Sequence, residues 1–140
     1  MLTRFCALLL CCGILAACNR SDESGSKSAA DWAKAGETDG YVYFADHASI
    51  KQADEIVTMS DLFDYKVART EGGGAPALSK KTDRGYDCQN QKSQPLKTTW
   101  YSGQMGTGSV VRSSGDSDQL TPVMAGSPTA ALIKIACRAH

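Results

Sequence analysis

SPTAALIKIACRAH, residues 127–140, is the stretch from which the fold of the whole chain can be inferred. Ser127 followed by Pro128 is typical of a helix start, because a Ser hydroxyl accepts from free first-turn amides and Pro fits the first helical position. Apolar side chains then recur at spacings of three and four and mark one face: Ala130, Ile133 and Cys137, with Leu132 and Ala136 at its margins. A helix this short is unstable alone in water, so we expect it to pack on a sheet formed by residues 31–123.

The longest predicted strand, from about Ile56 to Ala68, indicates what kind of sheet this is. Its alternation places five apolar side chains on one face: Val57, Met59, Phe63, Tyr65 and Val67. Polar residues occupy the other face, where Leu62 is the exception. One buried and one wet face is typical of an antiparallel sheet.

Further strands are predicted on both sides of it, bounded by turn residues. They are Trp32–Glu37, Tyr41–Phe44, Ala77–Cys88, Gln94–Tyr101, Gly108–Ser114 and the short Leu120–Val123. Asp46 to Ile50 is predicted to leave the second strand as a turn, with Asp46 bonding local amides. Residues 71–76 and 102–107 are glycine-rich and predict connecting loops. Together these features predict an α+β fold.

Residues 1–17 are predicted to be a signal peptide rather than part of the fold. Arg4 precedes an apolar run from Phe5 to Ala17 that suits a secretory signal. The run ends in Leu-Ala-Ala-Cys18, which resembles a bacterial lipobox, so we expect cleavage before Cys18 and lipidation of its thiol with acyl chains such as palmitate. The alternative is an ordinary cleaved signal with Cys18 near the cut. Asn19 after the Cys favours outer-membrane sorting, by resemblance to the sorting rule.

The six cysteines fall into two groups once this cleavage is assumed. Cleavage removes Cys6, Cys11 and Cys12, and lipidation uses Cys18, which leaves one pair: Cys88 and Cys137. Export places that pair in an oxidising compartment, so we predict a disulfide between them. A redox or nucleophilic role is the alternative, but the sequence has no Cys-x-x-Cys, and no His lies near Cys88.

Charge and length limit the function further. Losing Arg4 with the signal changes 15 basic residues to 14 against 15 acidic ones, a formal charge of −1. Such a chain has no basic field for nucleic acid or for an anionic membrane surface. Residues 18–30 are predicted to be the lipidated Cys and a flexible Ser-rich tether. Residues 31–140 are enough for one domain.

Candidate chemistry is sparse. His47 and His140 are the only histidines, and Asp46, His47 and Ser49 lie too close in sequence to act as nucleophile, base and orienting acid. We therefore predict no catalytic residues and no metal site. The aromatic residues are interpreted as core or cross-strand packing in preference to a ligand platform: Trp32, Tyr41, Tyr43, Phe44, Trp100 and Tyr101.

Several short motifs resemble, in order, the surface-adhesin protein E family of Gram-negative bacteria. The most specific are Tyr-Ser-Gly-x-Met-Gly-x-Gly at 101–108 and Asp87-Cys88 with Cys137 at the end of the last helix. The others are Asp31-Trp32, residues 43–46 with Ser49-Ile50, Asp64-Tyr65, residues 78–80, and Pro122 through Gly126-Ser127. The resemblance covers residues 31–140. Leu120, Met59 and Leu62 depart from it, since relatives often carry Trp at such places.

The resemblance implies an antiparallel sheet of about six strands with a disulfide-held C-terminal helix. It also implies a lipid-anchored, non-catalytic outer-membrane protein that binds host matrix or serum proteins such as laminin and vitronectin. A homodimer and haem binding through a Tyr or Met105 are further expectations of the family. The alternative is a periplasm-facing lipoprotein with a structural or housekeeping role. No ligand-contact residue is carried over.

Overall fold

The computed structural model describes residues 30–71, 74–115 and 117–139. The predicted signal peptide, the lipidation site Cys18 and the tether up to residue 29 lie outside the described residues, as do Gly72, Gly73 and His140. Within these residues the structure has one 3-10 turn, Gln104–Gly106, and the following strands and α-helix: β1 Trp32–Glu37, β2 Tyr41–Ala53, β3 Ile56–Arg69, β4 Ala77–Asp87, β5 Lys92–Tyr101, β6 Val110–Ser114, β7 Thr121–Pro122 and α1 Pro128–Arg138.

One antiparallel sheet contains all the strands. β1 to β6 lie side by side in chain order, and the two-residue β7 pairs with the start of β5. Sequential pairing follows from short connections, because a tight turn can only return the chain antiparallel to the strand it has left. The predicted α+β fold with about six antiparallel strands and a C-terminal helix is confirmed.

The core lies between α1 and one face of the sheet, here called the helix face. Leu132, Ile133 and Ala136 of α1 are buried there. On the strands they meet buried residues of β2, β3 and β4: Ala45, Val57, Met59 and Tyr86. Cys88 and Cys137 form the predicted disulfide, with their Cα atoms 5.8 Å apart, and so join the end of β4 to the last turn of α1.

Two local predictions were wrong. Asp46 to Ile50 is not a turn: β2 continues to Ala53, and the extra residues form a bulge between Asp46 and Lys51. Asp46 supports this bulge as an acceptor for the amides of Asp31 and Ala48. Val67, predicted to face the core, is 74% exposed. It lies beyond Tyr65, the last β3 residue paired with β2, and within the irregular part of the β3–β4 pairing between Asp64 and Arg69.

Ser127 caps the N-terminus of α1, and its contribution to stability can be measured by mutation. Ser127 accepts a hydrogen bond from the Ala130 amide through its hydroxyl oxygen, at 3.2 Å. Ser127→Ala is expected to lower the free energy of unfolding by about 1 kcal/mol. For a domain of this size that is a fall of about 5 °C in Tm, measured by circular dichroism. Ser127→Asp keeps an acceptor and should retain the wild-type Tm; an equal fall in both variants would contradict the cap.

An exposed ion-pair cluster gives a second prediction. Glu37 accepts from Lys34 and Lys66, both at 2.7 Å. Hydrogen bonds from Lys34 and then Lys66, together with their charges, lower the pKa of Glu37 to about 2. Because this folded-state pKa is depressed, the cluster favours the folded state above about pH 4 and this contribution is lost as the pH falls towards 2.

An NMR titration of the Glu37 side-chain carboxyl should therefore give a midpoint near 2. Lys66→Ala should move this midpoint up towards the ordinary Glu value of 4.5. Wild-type protein titrating near 4.5 would show that the cluster does not persist in solution.

Candidate functional site

A row of aromatic and cationic side chains crosses the helix face, and its first two members, Tyr43 and Phe63, pack against the core cluster under α1. Its members are direct cross-strand neighbours from β2 to β6: Tyr43, Phe63, Lys80, Trp100 and Arg112. We call this set the aromatic–cation row. All five side chains are half-buried rather than enclosed. The sheet register produces the row, because directly opposed residues on neighbouring strands point to the same face.

Ring stacking and cation–π contacts hold the row together. Tyr43 and Phe63 stack with their ring centroids 5.8 Å apart. The Lys80 ammonium lies 5.2 Å from the Phe63 centroid, and the Arg112 guanidinium lies 3.8 Å from that of Trp100. The cations thus lie over ring faces, where the ring quadrupole makes the contact favourable.

A second layer extends this surface along β2 and β3, two residues beyond Tyr43 and Phe63. Tyr41 packs against Phe63 at 5.0 Å and against Tyr65 at 6.4 Å. The exposed Arg69 guanidinium lies between the two tyrosines, 5.5 Å from the Tyr41 ring and 5.2 Å from the Tyr65 ring. Aromatic rings with arginines at their faces are the composition that recurs at the centres of protein–protein interfaces.

The carboxylate of Glu71 contacts the row and the second layer. Its carboxylate accepts hydrogen bonds from the Tyr65 hydroxyl at 3.0 Å, from Lys80 Nζ at 3.2 Å and from Trp100 Nε1 at 3.2 Å. Burial acts to raise the pKa of Glu71, but the Lys80 charge and the three hydrogen bonds outweigh it and lower that pKa. Burial, and then the negative charge of Glu71, raise the pKa of Tyr65. Glu71 is therefore ionised and Tyr65 donates at neutral pH.

A buried ion pair separates the row from the core under α1. Arg84 Nε donates to Asp61 Oδ2 at 2.8 Å, and the Asp61 side chain is fully buried. Within the described part of the chain, Asp61 Oδ1 and the Tyr86 hydroxyl are buried without a hydrogen-bond partner. Burial raises the pKa of Asp61, against the opposing charge of Arg84. The ionised Asp61 carboxylate is therefore costly to bury beside the core. The positive charge of Arg84 offsets part of that cost.

The opposite face of the sheet carries the other predicted aromatics and the glycine-rich segment. Trp32 and Phe44 lie there, with Lys81 6.0 Å from the Trp32 ring. Residues 102–109 fold over this face: the Met105 amide donates to Asp64 at 2.7 Å and the Gly106 amide to Ser79 at 2.9 Å. This cover explains why Leu62, the apolar exception on the polar face, is only 1% exposed.

The structure therefore divides the predicted aromatic set between two faces. Tyr41, Tyr43 and Trp100 are brought together, whereas Trp32 and Phe44 are not. Met105 lies over the face opposite to Trp100, so the haem hypothesis stays a prediction drawn from family resemblance. His47 is exposed on β2. Among residues 30–71, 74–115 and 117–139, no group of three or more His, Cys, Asp or Glu side chains could hold a metal.

Sequence reasoning missed the polar members of this site. Lys80, Arg112 and Glu71 were not singled out, and neither was the Asp61–Arg84 pair. One signal was available for Asp61, an acidic residue at the inward position between Met59 and Phe63 in an otherwise apolar alternation. For Glu71 no local signal exists, because its three donors come from β3, β4 and β5.

Two further observations concern membrane-spanning helices and similar curated proteins. Within the residues that the structure describes, no helix has the length and apolarity needed to cross a membrane. No curated protein matches the sequence.

Solved structures with the same fold include Haemophilus influenzae protein E. Haemophilus influenzae protein E in crystal form II is 15% identical, with a TM-score of 0.57 over 75% of this chain and 92% of that chain. Its Se-Met form is 16% identical, with a TM-score of 0.56 over 76% and 92% of the two chains. Protein E from non-typeable Haemophilus influenzae is 15% identical, with a TM-score of 0.51 over 77% and 84%. At these identities the likeness shows the fold alone.

Sequence comparison settles the family. The family model described as "Surface-adhesin protein E" matches residues 32–138, which include every strand, the helix and both disulfide cysteines. The chain belongs to the surface-adhesin protein E family and is a bacterial surface or envelope protein of the adhesin type.

Proposed function

We propose that this protein is a lipid-anchored outer-membrane adhesin whose aromatic–cation row binds a host matrix or serum protein. The observation that carries the proposal is the row itself: five half-buried aromatic and cationic side chains aligned across five strands. A rigid sheet presents these side chains with little entropy left to lose on binding. Membership of an adhesin family supports a non-catalytic binding role.

Binding to laminin and vitronectin tests the proposed surface. Trp100→Ala is expected to weaken binding of the purified protein at least tenfold, since buried aromatic anchors account for most interface energy. Trp32→Ala is the matched control, because Trp32 lies on the opposite face. Circular dichroism and an intact disulfide must show that both variants are folded. Equal losses in the two variants, or wild-type protein that binds neither host protein, would reject the proposed surface.

Exposure on intact cells tests the proposed location. An adhesin domain should be cleaved by added protease on intact cells, and metabolic labelling with palmitate should be lost in Cys18→Ala. The alternative is a periplasm-facing lipoprotein with a housekeeping role. In that case, cleavage would require a permeabilised outer membrane.

A further inference from the structure

Glu71 contacts the row in a way that an external ligand could reproduce. Its carboxylate is held by three donors from three neighbouring strands: the Tyr65 hydroxyl of β3, Lys80 Nζ of β4 and Trp100 Nε1 of β5. All three donors belong to the regular part of the sheet. Glu71 itself follows the end of β3 and belongs to no strand. The donors are thus fixed by the sheet, whereas the acceptor lies on the connection that follows β3.

The described cations near the donors outnumber the one that Glu71 pairs with. Among the described residues, three cations contact this surface, namely Arg69, Lys80 and Arg112, and the carboxylate of Glu71 pairs with Lys80 alone. Arg69 and Arg112 stack on rings and have no ion pair among the described residues. A partner that brings several carboxylates would meet both the three-donor set and these two guanidinium groups, which favour bidentate contact with carboxylate.

We propose that Tyr65, Lys80 and Trp100 form a carboxylate-binding site that Glu71 fills within the free protein, and that an acidic segment of a partner polypeptide fills it by displacing Glu71. This inference rests on the proposed function, since it names the chemistry by which the same surface takes its partner. The three donors need not rearrange to bind such a segment, because they already surround a carboxylate. An incoming Asp or Glu carboxylate makes the hydrogen bonds that Glu71 gives up.

Displacement is physically accessible because Glu71 is not enclosed. Its side chain is 34% exposed, so the carboxylate can turn into water, where it is well solvated. The exchange replaces one set of charge-assisted hydrogen bonds by another, and the flanking arginines add contacts that Glu71 does not make. Glu71 acts as an internal competitor. The apparent affinity for an acidic segment is reduced by the fraction of time that Glu71 occupies the donors.

Removal of the internal competitor tests the inference. The probe is an acetylated, amidated hexaglutamate peptide, with hexaglutamine as the uncharged comparison. Binding is followed by Trp100 fluorescence in the exported full chain, purified in detergent and carrying Trp32→Phe so that Trp100 is its one tryptophan. Glu71→Ala is expected to tighten hexaglutamate binding about tenfold relative to this parent. Adding Lys80→Ala should remove the gain, and hexaglutamine should bind neither form.

Two further variants keep the outcome unambiguous. Glu55→Ala removes the same charge from the exposed turn before β3, and it should leave the affinity unchanged. Glu71→Gln keeps the size of the side chain and should shift affinity in the same direction by a smaller factor, should Glu71→Ala prove unstable. If folded Glu71→Ala and Glu71→Gln bind hexaglutamate no more tightly than the parent, or if Glu55→Ala gives the same gain, the inference is overturned.

These outcomes are separate from those of the proposed function. The hexaglutamate titration involves no host protein, so a gain in Glu71→Ala supports the carboxylate site even if laminin and vitronectin do not bind. Conversely, wild-type binding to a host protein without any gain in Glu71→Ala would leave the adhesin role in place. It would show that Glu71 only links β3, β4 and β5.

Discussion

Replacing Cys88 and Cys137 together by Ala is expected to lower the free energy of unfolding by about 4 kcal/mol. The two residues are 49 positions apart, so the disulfide closes a long loop and restricts the unfolded chain strongly. It also joins the last turn of α1 to the end of β4. A loss of this size is a large part of the roughly 5–15 kcal/mol that stabilises an ordinary domain.

Urea unfolding of the exported wild type and the double variant measures this difference. Reduction of the wild type should reproduce it, because both treatments remove the same constraint. Hydrogen exchange should show loss of protection first in the amides of α1, since this short helix then depends on packing alone. A double variant within about 1 kcal/mol of the wild type would mean that helix packing, and not the covalent bond, holds the fold closed.

Arg84→Met is expected to destabilise the protein by about 3–5 kcal/mol at pH 7. Asp61 is fully buried and has Arg84 as its ion-pair partner at 2.8 Å. Removal of the guanidinium leaves a buried carboxylate with no compensating charge. Methionine fills much of the volume of the arginine stem, so the loss reports mainly on charge. Chemical denaturation of folded, disulfide-intact protein gives the value.

The pH dependence of this variant distinguishes charge from packing. Burial already raises the pKa of Asp61 in the wild type, and without Arg84 it should rise further. A raised folded-state pKa means that the native state takes up a proton that the unfolded state does not hold, so stability increases as the pH falls through the folded-state value. The difference in free energy of unfolding between Arg84→Met and the wild type should therefore become smaller as the pH falls from 7 to about 4.

Replacing both members of the pair provides the control. Asp61→Leu with Arg84→Met removes the buried charge as well as its partner and should be much closer to the wild type than Arg84→Met alone. A double variant as unstable as the single one would assign the loss to packing. A difference in free energy of unfolding between Arg84→Met and the wild type that does not change with pH would also assign the loss to packing.

The elements of this fold could be predicted well from sequence wherever the signal was local. β1 was predicted with its observed bounds, and β3 to within one residue of its end. The cap at Ser127 and the start of α1 also followed from residues adjacent in sequence. β2 was predicted too short, because Asp46 and Ser49 look like turn formers. The structure uses them at a bulge instead, where Ser49 accepts from the Ser60 amide of the neighbouring strand.

Three features could be inferred from the sequence alone: the alternation of β3, the cap and apolar stripe of α1, and the pairing of Cys88 with Cys137. The first two depend on residues adjacent in sequence, and the third depends on the number of cysteines that remain after export. Tertiary structure decided the site. Phe63, Lys80, Trp100 and Arg112 are separated along the chain, and only the register of four strand pairs, β2 to β6, aligns them with Tyr43. A shift of one residue in any pair would send a side chain to the other face, so the row exists only once the sheet has formed.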